Sequence, residues 1–353
     1  MSLTREAVLE ALKRVQDPDL HRDIVTLGFV TDITIDGGSV RATVELTTPA
    51  CPVKEILHAE CVGAIQSIPG VTQVHVEMTA RVRARSTAAD DLLPGVKRCI
   101  AIASGKGGVG KSTVTVNLAI ALAQQGARVG LLDADVYGPS IPLMMGIDER
   151  PSSDGNKIQP IVRHGLAMMS LGFLLEDDSA VMWRGPMVAG TVKQLLADVD
   201  WGDLDYLLVD LPPGTGDAPM SLAQLAPLTG VVIVATPQHV AANIAGKSVQ
   251  LFRRLNAPIL GVVENMAGFV CPSCGEVSQI FSGLSGRDLA KRHGVPYLGS
   301  VPLDPLISTA SDDGTPALLA YPDSAPAIAM RAIAGELVRQ ASILAHERDA
   351  VAK

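Results

Sequence analysis

Nine consecutive residues, Gly105-Lys106-Gly107-Gly108-Val109-Gly110-Lys111-Ser112-Thr113, have the composition and spacing of a loop that wraps a polyphosphate. The glycines let successive backbone N–H groups turn inward around an anion, Lys111 adds a point charge for the outer phosphates, and the Ser112 hydroxyl can ligate Mg²⁺. A tight glycine turn would explain the glycines but not a lysine followed by two hydroxyls. Two further apolar runs end in carboxylates: Leu131-Leu132-Asp133-Ala134-Asp135, and Leu207-Leu208-Val209-Asp210 with Gly214 shortly after it. Strand-end aspartates hold Mg²⁺ or position water. Asp210 is thus the expected Walker B residue and Mg²⁺ ligand, Asp133 a further candidate for Mg²⁺, and the Gly214 N–H a candidate sensor of the γ-phosphate. Taken singly, each aspartate could instead cap the following helix. Together with the loop they read as one nucleotide site.

A second constellation is Cys271-Pro272-Ser273-Cys274-Gly275. Its turn brings two soft thiolates to one side, a pair suited to zinc, an iron–sulfur cluster or redox exchange. Two thiolates complete neither a tetrahedral zinc site nor a four-iron cluster, whereas two copies of the pair across a two-fold axis supply four ligands. Cys51 precedes a predicted helix, where an N-terminus lowers a thiol pKa and favours reactivity, although a lone cysteine is more often inert. Cys99 lies in an apolar run and reads as a small core residue. Five cysteines are an odd number, and a disulfide framework is not expected.

Elements that would position these residues follow from periodicity. The loop lies between an apolar run at 98–103 and a helical pattern at 112–123, and the helix directs its positive end at the same anion. Further strands are expected at 128–133, 204–210, 230–235, 259–263 and 297–300, alternating with helices, which calls for a doubly wound, mostly parallel α/β sheet with ligands at the carboxyl ends of its strands. Residues 148–182 carry little periodicity. Ahead of this domain (97–353) a breaker-rich linker (86–96) follows a small α-β-β-α-β domain (1–85). That domain has helical spacing at 4–15, a β-rich stretch at 24–35, a turn at Asp36-Gly37-Gly38-Ser39, an alternating strand at 40–46, a second helix at 53–68 and a last strand through Val74, Val76 and Met78.

Composition narrows the function classes. The residues are 47% hydrophobic but only 3% aromatic, as in cores of Val, Leu, Ile and Ala under parallel sheets. A formal net charge of −8 argues against a general nucleic-acid binder, and the basic run Arg81, Arg83, Arg85 reads as a solvated strand end. No apolar run is long enough to span a bilayer and the first residues lack a signal-peptide pattern, so a cytoplasmic protein without a membrane partner is expected.

Lys106, one residue after the first glycine of the loop, resembles the deviant Walker motif of dimeric ATPases, in which this lysine reaches the partner subunit's nucleotide. GKGGVGKST (105–113), DADVYGPS (133–140), WRGPM (183–187), LLVDLPPGTGD (207–217), TPQ (236–238), ENMAG (264–268) and CPSCG (271–275) together resemble the Mrp/ApbC family of iron–sulfur cluster carrier ATPases, over roughly residues 96–345. The resemblance implies a homodimeric, Mg²⁺-dependent ATPase that binds a labile four-iron four-sulfur cluster through Cys271 and Cys274 of both subunits and passes it to apo-proteins alongside other assembly factors. It further implies that residues 105–113 bind ATP, that Lys106 acts in trans, that Asp135 orients the attacking water and that Asn265 recognises adenine. The first domain, with Asp17-Pro18 and TTPACP (47–52), resembles the SufT- and PaaD-like domain linked to iron–sulfur assembly. It lacks the four-cysteine motif of eukaryotic scaffold relatives, so no second, permanent cluster is expected. Two alternatives share the loop: a positioning ATPase of the MinD/ParA type, and a zinc-stapled dimeric regulator. The first needs a membrane-binding tail or a basic surface. Residues 325–353 mix acids and bases without an aromatic and read as a docked terminal helix.

Overall fold

The computed structural model describes residues 3–82, 92–174, 185–271 and 273–351. Trp183, Arg184, Arg83, Arg85, Pro272 and linker residues 86–91 lie outside them. The chain forms two compact units, one of residues 1–83 with 341–353, the other of 84–340.

In the first unit, helix Arg5–Leu12 starts where the Thr4 hydroxyl accepts the Ala7 N–H at 3.2 Å, and it buries Val8, Ala11 and Leu12. Strands Val30–Asp36 and Ser39–Leu46 pair antiparallel through a two-residue turn in which Gly37 takes φ 56°, a conformation open to glycine. Helix Lys54–Gln66 then returns the chain so that strand Gln73–Ala80 pairs parallel with Ser39–Leu46. Val8, Leu12, Ile24, Val40, Leu57 and Ile65 share one core. The β-rich stretch at 24–35 is strand only from Val30. Before it, the Asp17 carboxylate accepts the N–H groups of Asp19 (2.9 Å) and Leu20 (2.8 Å), and this turn pairs Gln16–Asp17 with Arg22–Asp23.

The second unit is built on a nine-stranded, mostly parallel sheet. Its order runs Val277–Ser278, Ile259–Val270, Leu228–Ala235, Cys99–Ser104, Tyr206–Asp210, Val129–Asp133, Leu166–Ser170, Ile161–Arg163, with Tyr297–Leu303 pairing to Ile259–Val270. Every residue of Cys99–Ser104, Val129–Asp133, Tyr206–Asp210 and Leu228–Ala235 is buried, because helices cover both faces. This is the expected doubly wound α/β fold.

Two features depart from the sequence expectation. Residues 148–182, which showed no clear pattern, hold strand Leu166–Ser170 and the edge strand Ile161–Arg163 beside it, joined through His164 (φ 52°) and Gly165 (φ 78°). Strands of three and five residues offer few positions for alternation to show. The strand expected at 259–263 runs on to Val270, with register shifts beyond Asn265 and left-handed Met266 (φ 58°) and Gly268 (φ 110°). Those kinks, and the glycine, hide the strand from a period-two search. Helix Ala325–Val351 buries Ala327, Met330, Ala334, Leu337, Val338 and Ala341, one face at helical spacing, as expected for a docked terminal helix. Among the described residues no helix is long and apolar enough to cross a membrane.

Candidate functional site

The carboxyl ends of three adjacent strands bring the loop and the aspartates together. Parallel register sets Asp210 level with Asp133 on one side and Ile102 on the other, while the loop leaves the strand just past Ile102 and enters helix Lys111–Gln124. Gly110, immediately before the helix, has φ 78° and lies against the Asn265 carboxamide, so its conformation and its neighbour both require glycine. At Gly105 a Cβ would fall 2.7 Å from the Ile244 backbone, so glycine also permits helix His239–Arg254 to approach the loop.

Asp210 is fully buried and is the hub of the site. Its Oδ2 accepts from Lys111 Nζ at 2.7 Å and from Ser112 Oγ at 2.5 Å, and its Oδ1 accepts from Thr115 Oγ1 at 2.7 Å. Lys111 Nζ also stands 3.7 Å from Asp135 Oδ2, whereas Asp135 Oδ1 is buried with no hydrogen-bond partner. Burial raises the Asp135 pKa, against the opposing charge of Lys111.

Asp133, a candidate for Mg²⁺, is hydrogen-bonded to its own loop and to a neighbouring strand. Its Oδ1 accepts the Asp135 N–H at 3.1 Å, and its Oδ2 accepts the Ile141 N–H at 3.3 Å and the Ser170 hydroxyl at 3.0 Å. Both oxygens are thus committed to holding the 133–141 loop. Burial, and then the charge of Asp210, pushes its pKa up to about 7. The Gly214 N–H, a candidate phosphate sensor, donates instead to the Ser104 carbonyl at 2.9 Å, because the chain after Asp210 folds back over the end of the loop strand. Lys106 Nζ donates to Gln238 Oε1 of its own chain at 2.8 Å. Buried Asn265 donates through Nδ2 to the Val109 carbonyl at 2.9 Å, which ties strand Ile259–Val270 to the loop.

Cys271 follows the end of that same strand. Its N–H donates to Glu276 O at 2.9 Å and its carbonyl accepts the Gly275 N–H at 2.8 Å, closing a turn with Cys271 half-buried and Cys274 exposed. Hydrogen bonds from the Ser273 and Cys274 N–H groups hold the Cys271 thiol below its ordinary pKa. Among the described residues no group of three or more His, Cys, Asp or Glu side chains is placed to hold a metal ion. Cys51 corrects the expectation of an acidified thiol: burial pushes its pKa up to about 11, outweighing the hydrogen bond from the Val53 N–H.

Sequence reasoning missed Thr115, Gln238 and Ser170. Thr115 lies one helical turn after Lys111, so the i, i+4 rule applied to the loop helix would have found it. Gln238 sits within the TPQ triplet already noted. Ser170 lies on the short strand Leu166–Ser170, which left no periodic trace.

Residues 95–338 match the family described as NUBPL iron-transfer P-loop NTPase, and residues 5–76 match the family described as iron–sulfur cluster assembly protein. A protein of Synechocystis sp. named iron–sulfur cluster carrier protein is 45% identical over 350 residues, covering 97% of this chain and 99% of its own length. One of the same name from Deinococcus radiodurans is 46% identical and covers 96% of each chain. Among solved structures, a nucleotide-binding protein of Archaeoglobus fulgidus in complex with ADP is 41% identical, with a TM-score of 0.58 over 65% of this chain and 92% of that one. The Pyrococcus furiosus cell division ATPase MinD is 25% identical with a TM-score of 0.53, covering 68% and 98%. With the Lys111–Asp210 hub on one side of Asn265 and the thiol pair on the other, the chain belongs to the family of iron-transfer P-loop NTPases.

Proposed function

We propose that this protein is a homodimeric, Mg²⁺-dependent ATPase of the cytoplasm that carries a labile four-iron four-sulfur cluster between the Cys271–Cys274 pairs of two subunits and delivers it to apo-proteins. The observation that carries this reading is strand Ile259–Val270, which holds Asn265 against the nucleotide loop and ends at the thiol pair, so one element serves both sites. The names of the 45–46% identical relatives support the cargo.

Ser112 Oγ and Asp210 Oδ2, 2.5 Å apart, are hard oxygen donors of the kind Mg²⁺ selects, and they are the residues we assign to hold it. When bound, the ion neutralises charge on the β- and γ-phosphates. In this reading Lys111 turns from Asp210 to the outer phosphates, and the backbone N–H groups of 105–113 cradle the remainder. The unpartnered Asp135 Oδ1 accepts a hydrogen bond from the attacking water and aligns it. Asp133 fixes the loop that carries Asp135. Lys106 leaves Gln238 to reach the partner subunit's nucleotide, and Asn265, held by Val109, faces the adenine.

Anaerobic iron and sulfide reconstitution of the full chain tests the cargo. About four irons per dimer are expected, and Cys271→Ala or Cys274→Ala removes them because each takes away two of four ligands at once. A double variant that still binds the wild-type amount of iron, a requirement for Cys51, or stoichiometric zinc with no affinity for iron overturns the reading.

A further inference from the structure

A groove of about 570 Å³ lies between helices His239–Arg254 and Gly286–His293, and none of the residues assigned above to nucleotide, Mg²⁺ or cluster lines it. Its floor is apolar, formed by Ala242, Gly246 and Leu289. Gly246 is what lets the two helices meet: a Cβ there would fall 2.7 Å from His293 Nε2, so the imidazole lies directly against the helix backbone. Arg253 secures the meeting by donating to the carbonyls of His293 and Gly294.

The rim has the opposite character. Lys247, Arg254 and Arg292 are exposed, and among the described residues none of them forms an ion pair or a side-chain hydrogen bond. The contrast with neighbouring Arg253, which is spent on backbone carbonyls, leaves these three charges without a structural task. Among the described residues no carboxylate lines the groove, in a chain whose formal net charge is −8. An unneutralised basic groove on an acidic protein is a local reversal of the field.

Spacing selects the occupant. On one face of helix His239–Arg254, Asn243, Lys247, Gln250 and Arg254 recur at helical intervals, so Lys247 and Arg254 stand about two turns, roughly 10 Å, apart. A single phosphate needs donors converging on one point, whereas these cations are strung along a furrow with apolar atoms beneath them. Three cations on a net acidic surface also fall short of the row of contacts that holds a nucleic-acid backbone.

We propose that this groove docks an acidic, amphipathic segment of a partner protein, whose apolar side chains lie on Ala242, Gly246 and Leu289 and whose carboxylates pair with Lys247, Arg254 and Arg292. Thr215, five residues past Asp210, lines the groove as well, so a docked segment touches the loop that leaves the nucleotide site. The proposal does not depend on the cargo or on the chemistry at the thiol pair.

Fluorescence anisotropy on the full chain tests it, with a labelled helical peptide of about twelve residues, roughly 18 Å long, bearing leucines on one face and three flanking glutamates. A control peptide carries glutamine at each glutamate. The glutamate peptide is expected to bind, with affinity falling at least about tenfold on raising the salt from about 50 to 300 mM and by a similar factor in the K247E/R254E/R292E variant. These three positions are exposed, and circular dichroism and unchanged ATP turnover without peptide establish that the variant remains folded. Equal binding of the glutamine control, or undiminished binding to the triple variant, overturns the proposal. So does displacement of the peptide by inorganic phosphate at about 10 mM, by a DNA duplex or by phosphatidylglycerol vesicles at low micromolar concentration, which would assign the groove to a small anion, a nucleic acid or a membrane.

Discussion

Asp210 accepts from Lys111, Ser112 and Thr115, and the energetics of the site turn on that convergence. Removing Lys111 takes away the phosphate charge and also leaves a fully buried carboxylate without its cation. Lys111→Ala is therefore expected to abolish ATP turnover and to lower stability by about 3 kcal/mol, read by denaturant titration without nucleotide. Ser112→Ala removes a hydroxyl but no charge, so turnover should be lost with a smaller change in stability. Near-normal hydrolysis in either variant would sink the nucleotide assignment. Lys106, bonded to Gln238 in its own chain, lies off the hub. We expect Lys106→Ala to keep nucleotide affinity, measured by equilibrium dialysis, while losing hydrolysis, and full turnover with every copy carrying the change would refute the proposed action in trans. The thiols separate in the same way. With its pKa pushed up to about 11 by burial, Cys51 is roughly one part in a thousand thiolate at pH 8, whereas Cys271 is held below the ordinary value. Iodoacetamide followed by mass spectrometry at pH 8 should label Cys271 well before Cys51, and labelling of Cys51 should rise with pH through the whole alkaline range. Equal rates would contradict the buried environment of Cys51.

Two elements place these side chains. Helix Lys111–Gln124 puts Lys111, Ser112 and Thr115 within reach of one carboxylate because residues at its first turn and one turn on share a face. Strand Ile259–Val270 does a different task, crossing under the loop at Asn265 and ending beside Cys271. Gly110 lies where the two meet, at φ 78° and against the Asn265 carboxamide. Gly110→Ala adds a methyl group that has no room and a φ that L residues rarely adopt, at a cost on the order of 1–2 kcal/mol for the backbone alone. The expected result is at least about tenfold weaker binding of a fluorescent ATP analogue, with the fold intact by circular dichroism. Unchanged affinity would mean that the Asn265–loop contact has no part in shaping the phosphate cradle. The loop helix was readable because four glycines, Lys111 and Ser112 announce it in nine residues. The far end of strand Ile259–Val270 was not, because Met266 and Gly268 break its alternation.

At the scale of the whole molecule, the terminal helix contributes through burial. Leu337 and Val338 are completely buried on the face that Ala325–Val351 presents inward. Truncation at Leu337 leaves a cavity, and Leu337→Ala is expected to cost about 3 kcal/mol by denaturant titration while the thiol pair still takes up iron, because the residue touches neither site. A cost under about 1 kcal/mol would show that this helix is not packed as described. The burial also distinguishes the helix from a membrane-seeking tail, which would have to leave its apolar face uncovered.

The amino-acid sequence by itself determined the main helices and the central strands of both units, the loop with Lys111 and Ser112, the strand-end carboxylates and the thiol pair. These are local signals: glycine at constrained turns, apolar runs that end in acids, and helical or alternating spacing. Only the tertiary structure decided how the carboxylates divide their work, since Asp133 and Asp210 look alike along the chain but pair across adjacent strands with different neighbours. It also decided that Cys51 is muted rather than activated, because burial is a property of the assembled core and overrides the adjacent helix terminus. The basic groove is of the same kind: Lys247 and Arg292 lie far apart along the chain, and packing of two helices around Gly246 makes them one surface.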